Sequence, residues 1–146
     1  MKIINVTFTP EKIKGKDRPR YRRVGNFVQT YTTKSTKSFE EEISTKFIEQ
    51  VGKEYCSYDG RVMLKMSIST EMPKSWSNKI KDKLDEDYNT NKPDIDNIIK
   101  AVLDGLNGVA YQDDKQICDI HATKYWSREN KIELKIVYLD KRKDPE

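Results

Sequence analysis

The sequence predicts a single α+β domain, a mixed β-sheet with helices packed on it. Three observations lead there. Apolar and polar residues alternate at strand spacing in residues 62–68, 116–126 and 131–139. Apolar residues recur at helical spacing in residues 39–51 and 95–106. Across the 146 residues no repeat and no shift of composition marks a second unit, so residues 1–146 read as one domain.

In chain order, Ile4, Val6 and Phe8 alternate with polar residues and predict a first, half-buried strand. Residues 9–37 carry no core pattern and read as a long basic excursion. Within it Arg20 to Val24, a Gly25-Asn26 turn and Phe27 to Tyr31 suit a hairpin. Ser38-Phe39-Glu40-Glu41 has the form of a capping box, and Phe39, Ile43, Phe47 and Val51 follow at four-residue spacing toward Gly52. Val62, Leu64, Met66 and Ile68 form the next strand. Pro73 and Ser75 open a charged helical stretch on which Trp76, Ile80 and Leu84 share a face. Asp96 is the expected N-cap of the second amphipathic helix, which ends at Asn107-Gly108. The last two strands are joined through residues 127–130, which suits a hairpin, and residues 140–146 read as a frayed, charged tail.

Composition narrows the chemistry. With 35% hydrophobic and 36% charged residues, the core must be compact and the surface densely charged. No apolar run approaches the ~20 residues of a membrane span, and residues 1–6 lack a signal-peptide pattern. The expectation is a cytoplasmic protein with no membrane partner, whose two cysteines, Cys56 and Cys118, are reduced and structural. The sole histidine, His121, argues against histidine-based zinc sites and against a Ser-His-Asp triad. Carboxylates and lysines are what remain.

The net charge of +4 is modest, but its distribution is not. Lys12, Lys14, Lys16, Arg18, Arg20, Arg22 and Arg23 stand against Asp17 alone, and six of the seven occupy even positions. In an extended chain those six line one side, where a polyanion would meet a row of cations. A second basic stretch spans residues 74–83.

The densest chemistry lies in Lys92-Pro93-Asp94-Ile95-Asp96-Asn97-Ile98-Ile99-Lys100 and, past the helix, Asp113-Asp114. In an extended entry Asp94 and Asp96 point the same way while Ile95 points to the core. Lys100 and Asp104 follow at one-turn intervals, and a turn at Asn107-Gly108 lets Asp113-Asp114 double back. Singly, each residue has a plain structural use as a cap, a surface pair or a turn. Together, converging carboxylates repel unless a cation lies between them, and magnesium suits such a group because it takes few protein oxygens and completes its shell with water and phosphate. An EF-hand is excluded by Ile98 and Ile99, and no glycine-rich phosphate loop is present.

The run from Lys92 through Asp113-Asp114 to Ile117 resembles the signature of the RusA family of Holliday junction resolvases. The resemblance extends more weakly through Met72-Pro73-Lys74-Ser75-Trp76 and the segment Lys14-Gly15-Lys16-Asp17-Arg18-Pro19-Arg20. It implies a small, symmetric homodimeric, Mg2+-dependent nuclease that resolves four-way DNA junctions and leaves nicks with 5′-phosphates; many members are encoded by phages or prophages. The family's essential aspartates match Asp94, Asp96 and Asp114 as metal ligands, Asp113 being the alternative at the third position, and its essential lysine matches Lys100. The residues leave open one ion or two, and whether Lys100 stabilises the phosphate or orients the water. Two other readings compete: a junction-binding protein of the same fold without catalysis, and a magnesium phosphatase acting on small phosphoesters.

Overall fold

A computed structural model describes residues 1–16, 20–31 and 34–140, and of Arg20, Tyr21, Thr30 and Tyr31 it describes the backbone alone. Arg18 and the charged tail beyond Asp140 therefore lie outside the described residues. The elements run β1 (Lys2–Phe8), β2 (Arg20–Val24), β3 (Phe27–Tyr31), α1 (Lys34–Val51), β4 (Val62–Glu71), α2 (Asn78–Leu84), α3 (Ile95–Leu106), β5 (Ile117–Ser127) and β6 (Lys131–Tyr138). Four strands form one mixed sheet in the order β1-β6-β4-β5, while β2 and β3 pair with each other as a separate hairpin.

The expected α+β architecture is present. The period-two pattern of β4 and β6 turns one face of the sheet toward the helices. Leu64 pairs with Ile136, Met66 with Leu134 and Ile68 with Ile132, and all six are buried. Val6 and Phe8 extend that layer onto β1. Phe39, Ile43 and Phe47 of α1 and Ile98, Ala101, Val102 and Leu106 of α3 close over it. The helices can approach closely because position 105 is glycine. A Cβ there would stand 2.9 Å from both the Glu40 carbonyl oxygen and Ile43 Cβ. Among the described residues no helix is long and apolar enough to cross a membrane.

Several local expectations are corrected. Strands β5 and β6 do not form a hairpin; they flank β4, β5 parallel to it and β6 antiparallel. The link between them wraps past the end of β4, where Glu71 N–H donates to Asn130 Oδ1 (2.7 Å) and Met72 N–H to the Ser127 carbonyl (2.9 Å). Alternation defines a strand, but a short link does not oblige its two strands to pair when a third offers both edges. Helix α1 begins at Lys34, ahead of the predicted capping box, because Thr36 is already buried one turn before Phe39. Helix α2 begins at Asn78, capped by Ser77 Oγ accepting from Ile80 N–H, so Trp76 precedes it and packs on Trp126 instead. The excursion is not wholly outside the core, since Ile13 joins it. Cys56 and Cys118 are free but exposed, so neither fills the interior.

Candidate active site

The candidate site gathers at the N-terminal half of α3. Asp94, not Asp96, is the N-cap residue. Its backbone is extended (φ −64°, ψ 144°) and its carbonyl accepts the first helical bond from Ile98 N–H, yet its side chain makes no capping hydrogen bond. The Asp94 carboxylate is thus directed away from the backbone it would otherwise cap. Asp96 stands in the first turn, where the helix dipole favours an anion. Both aspartates are exposed and Ile95 between them packs against the core, but only Asp94 is extended; Ile95 and Asp96 already belong to the first turn of α3, so the expected extended entry ends one residue earlier.

The loop feeding α3 is pinned from β4 and β5. Asn89 is buried, donating to Thr70 Oγ1 (2.6 Å) and accepting from Asn91 N–H (2.7 Å). Lys124 of β5, only 7% exposed, donates its ammonium to the carbonyls of Asn91 and Pro93. Burial draws the Lys124 pKa below its ordinary value, against the opposing pull of the Asp94 charge. Sequence reasoning missed this residue. The available signal was a lysine sharing strand parity with Ala122, on the side of β5 that faces inward.

The far limb of the site is the turn after α3. Gly108 adopts a positive φ of 78° and reverses the chain. Tyr111 is buried and its hydroxyl donates to the Leu103 carbonyl (2.9 Å). Burial, reinforced by the charges of Asp114 and Asp104, pushes its phenol well above the ordinary range. The side chain of Asp113 accepts from Lys115 N–H (3.2 Å), while its own N–H donates to Gln116 Oε1 (2.8 Å). Those bonds, that from Lys115 N–H first and a side-chain bond with Asp114 next, hold the Asp113 carboxyl below its usual value. Gln116 is anchored in turn to the carbonyls of Tyr58 and Gly60. Asp113 therefore shapes the turn, and Asp114 faces Lys100 at 3.5 Å.

Lys100 also meets Asp104 at 3.2 Å, and that hydrogen bond is the main reason its ammonium pKa is raised, with burial opposing. Asp104 is shared with Lys16, whose Nζ stands 3.1 Å from Asp104 and 2.6 Å from Glu40. Burial lowers the Lys16 pKa, but the bonds to the two carboxylates outweigh it and leave the pKa raised.

Lys16 thereby leaves the expected row of cations. The chain around it turns in to dock on α3: Lys16 N–H donates to the Asn97 carbonyl (2.8 Å), and a Cβ on Gly15 would stand 2.9 Å from Asn97 Cβ and 3.0 Å from Pro93 Cβ. Of the other predicted DNA-binding residues, Lys12 is exposed, and Lys14 lines an open cavity of about 430 Å3 with Lys92, Asp94 and Asn97. Arg22 and Arg23 are exposed on β2, where Arg22 Nε donates to Gln29 and Arg23 Nε to the Gly25 carbonyl. The hairpin tip adds Phe27 and Val28, 78% and 70% exposed.

Asp94 and Asp96 line a second open cavity, of about 540 Å3, with Tyr88, Thr123 and Lys124. Asp114 keeps to the Lys100 side. Among the described residues no three His, Cys, Asp or Glu side chains form a ready-made metal cage. The donor chemistry nonetheless fits a hard cation. Exposed carboxylates serve the site, the only imidazole is paired elsewhere with Asp119, and magnesium asks the protein for only one or two carboxylates.

The described residues thus form an α+β domain with two exposed aspartates at the start of α3 and a lysine one turn on. The chain belongs to the RusA endodeoxyribonuclease family, whose model, Endodeoxyribonuclease RusA, matches residues 10–137. It is also similar to "Uncharacterized protein YqaN" of Bacillus subtilis (strain 168), 38% identical over 81 residues that cover 53% of this chain. The match spans 57% of the length of that relative.

Proposed function

We propose that this chain is a Mg2+-dependent, structure-selective endodeoxyribonuclease that acts as a homodimer and resolves four-way DNA junctions in recombination and repair. The observation that carries the reading is the pair Asp94 and Asp96 facing one open cavity at the start of α3, with Lys100 one turn further along. Family membership supports the nuclease chemistry.

Asp94 and Asp96, with Asp114 as the third carboxylate, are the residues that would hold magnesium, which when bound supplies Lewis acidity and a lowered pKa for an attacking water. The chain's own contributions are distinct. Lys124 and Asn89 fix the backbone that presents Asp94. Asp113 and Gln116 set the turn that presents Asp114. Lys100 carries a fixed positive charge that can stabilise the phosphate as negative charge accumulates on it in the transition state. Its carboxylate partners, Asp104 first, raise the pKa of that ammonium above the ordinary lysine value. Lys12, Lys14, Arg22 and Arg23, with Arg18 and Arg20 in the same segment, would bind the DNA backbone. A two-fold dimer would present one site to each of two opposed strands of a pseudo-symmetric junction.

A synthetic four-way junction and a plain duplex, each with and without magnesium, test this directly. The expected result is paired nicks in the junction alone, dependent on the metal, and abolished by Asp94→Asn, Asp96→Asn or Asp114→Asn with junction binding retained. Binding without nicking by the unaltered chain would favour a non-catalytic junction-binding protein. An active Asp114→Asn beside a dead Asp113→Asn would move the third ligand by one residue.

A further inference from the structure

The cavity lined by Asp94 and Asp96 has an aromatic wall that phosphate chemistry does not require. Residues 86–89 add to the free edge of β5: Trp126 N–H donates to the Asp87 carbonyl (2.8 Å), Asn89 N–H donates to the Lys124 carbonyl (3.0 Å), and Tyr88 bridges to Tyr125. That pairing sets the Tyr88 ring on the Tyr125 ring, with centroids 5.6 Å apart and planes inclined by 22°. Tyr88 is nevertheless 69% exposed, and it lines the same cavity as the two aspartates. Placing a large aromatic in water costs hydration free energy unless it has something to cover. Here the backbone on both sides of the ring is held: Asn89 is buried, and Tyr88 N–H donates to Asp87 Oδ1 (2.8 Å). The ring, resting on Tyr125 and carried by a held backbone, presents a flat surface at the rim of the site.

We propose that Tyr88, backed by Tyr125, is a stacking platform for a nucleobase beside the phosphodiester that is cut, so that an unstacked base at a branch point is recognised in the catalytic cavity itself. The proposal rests on the nuclease reading and adds a selectivity element to it. The occupant follows from continuity. A DNA strand whose phosphate lies at Asp94 and Asp96 has its neighbouring base within one nucleotide of that phosphate, and the aromatic surface that shares the cavity is this ring, Ile95 and Ala122 beside it being partly buried against the core. Any base has a π face, so the platform tolerates sequence. A base stacked in an intact duplex is closed to it, whereas one at a branch point can be splayed out at lower cost.

The test couples protein and DNA changes in single-turnover cleavage of a four-way junction by the full chain, with cut positions first mapped using the unaltered protein. Tyr88→Ala is expected to slow cleavage about 5- to 150-fold, the range for losing one base–aromatic stack, and Tyr88→Phe, which keeps the ring, to recover the rate. Removing the base at one nucleotide flanking the cut, as an abasic site, is expected to slow the unaltered protein by a similar factor and to add little to Tyr88→Ala. Additive losses at every flanking position, or a Tyr88→Ala protein that cuts as fast as the original, would overturn the platform. So would a change of oligomeric state on Tyr88→Ala in sedimentation, which would assign this face to a second copy. Tyr88→Leu retains apolar packing on Tyr125, and its loss of the same abasic coupling keeps the test valid should the alanine variant fold poorly. If the unaltered chain cuts no DNA, the nuclease reading itself falls; if only the Tyr88 effects are missing, the platform alone does.

Discussion

Replacing Lys16 by methionine separates a DNA-binding role from that of a structural counter-ion. Its ammonium lies 2.6 Å from Glu40 and 3.1 Å from Asp104, and the three side chains are each only about one-fifth exposed. Breaking a fully buried ion pair by removing one partner costs ~3–5 kcal/mol, and an exposed pair is worth ~0–1 kcal/mol. With one-fifth exposure the expected loss is about 2 kcal/mol, which lowers Tm by roughly 4–8 °C in a protein of this size. Because the folded pKa of Lys16 is raised, its contribution is present below the ordinary value of 10.5 and fades only as pH climbs through the folded value. The deficit of Lys16→Met should therefore be level between neutral pH and mildly alkaline pH. Urea unfolding of Lys16→Met, Glu40→Gln and the double variant should give a less-than-additive loss, since each single change leaves part of one cluster unpaired. DNA binding supplies the contrast. The slope of log affinity against log salt should not move in Lys16→Met, whereas Arg22→Ala with Arg23→Ala should flatten it by ~0.9 for each phosphate no longer neutralised. An unchanged melting temperature together with a slope reduced by ~0.9 would refute the structural role and return Lys16 to the row facing DNA.

Three other outcomes are expected. Lys100→Ala, losing a half-exposed ion pair, should shift Tm by little but slow single-turnover junction cleavage about a hundredfold or more, with Lys100→Arg rescuing poorly because its planar fork has a different shape; a rate within a few-fold of the original would reduce Lys100 to a surface residue. Lys124→Met removes the donor to the Asn91 and Pro93 carbonyls, hydrogen bonds worth ~1.5–3 kcal/mol each when charged, so both thermal stability and cleavage should fall. A melting curve identical to the original would show that the loop before Asp94 is held by other interactions. Gly105→Ala drives a methyl to 2.9 Å from the Glu40 carbonyl and should cost ~1–3 kcal/mol in denaturant unfolding by prising α1 from α3; a neutral effect would mean that the helices part without strain.

Much of this protein is written in local patterns. The strand parity of Val62, Leu64, Met66 and Ile68 and the helical spacing of Ile98, Val102 and Leu106 depend only on which face of an element is apolar, and the structure buries those faces. Ile95 likewise packs inward and Asp94 and Asp96 stay exposed, but they do so at the junction of an extended N-cap and the first helical turn, which strand alternation does not describe. What local pattern does not contain is partner choice. Whether β6 pairs with β5 or with β4 depends on which edges compete for it, and the short link through residues 127–130 permits either. The even spacing of Lys12 to Arg22 presumes an extended chain, but Ile13 enters the core and Lys16 is captured by Glu40 of α1 and Asp104 of α3, carboxylates 24 and 88 residues away. Lys124 meets the loop before Asp94 across 31 to 33 residues. Tyr88 reaches the cavity only because its segment pairs with the edge of β5. These interactions join groups far apart in the chain, and their free energy exists only once the sheet has brought them within a few ångströms.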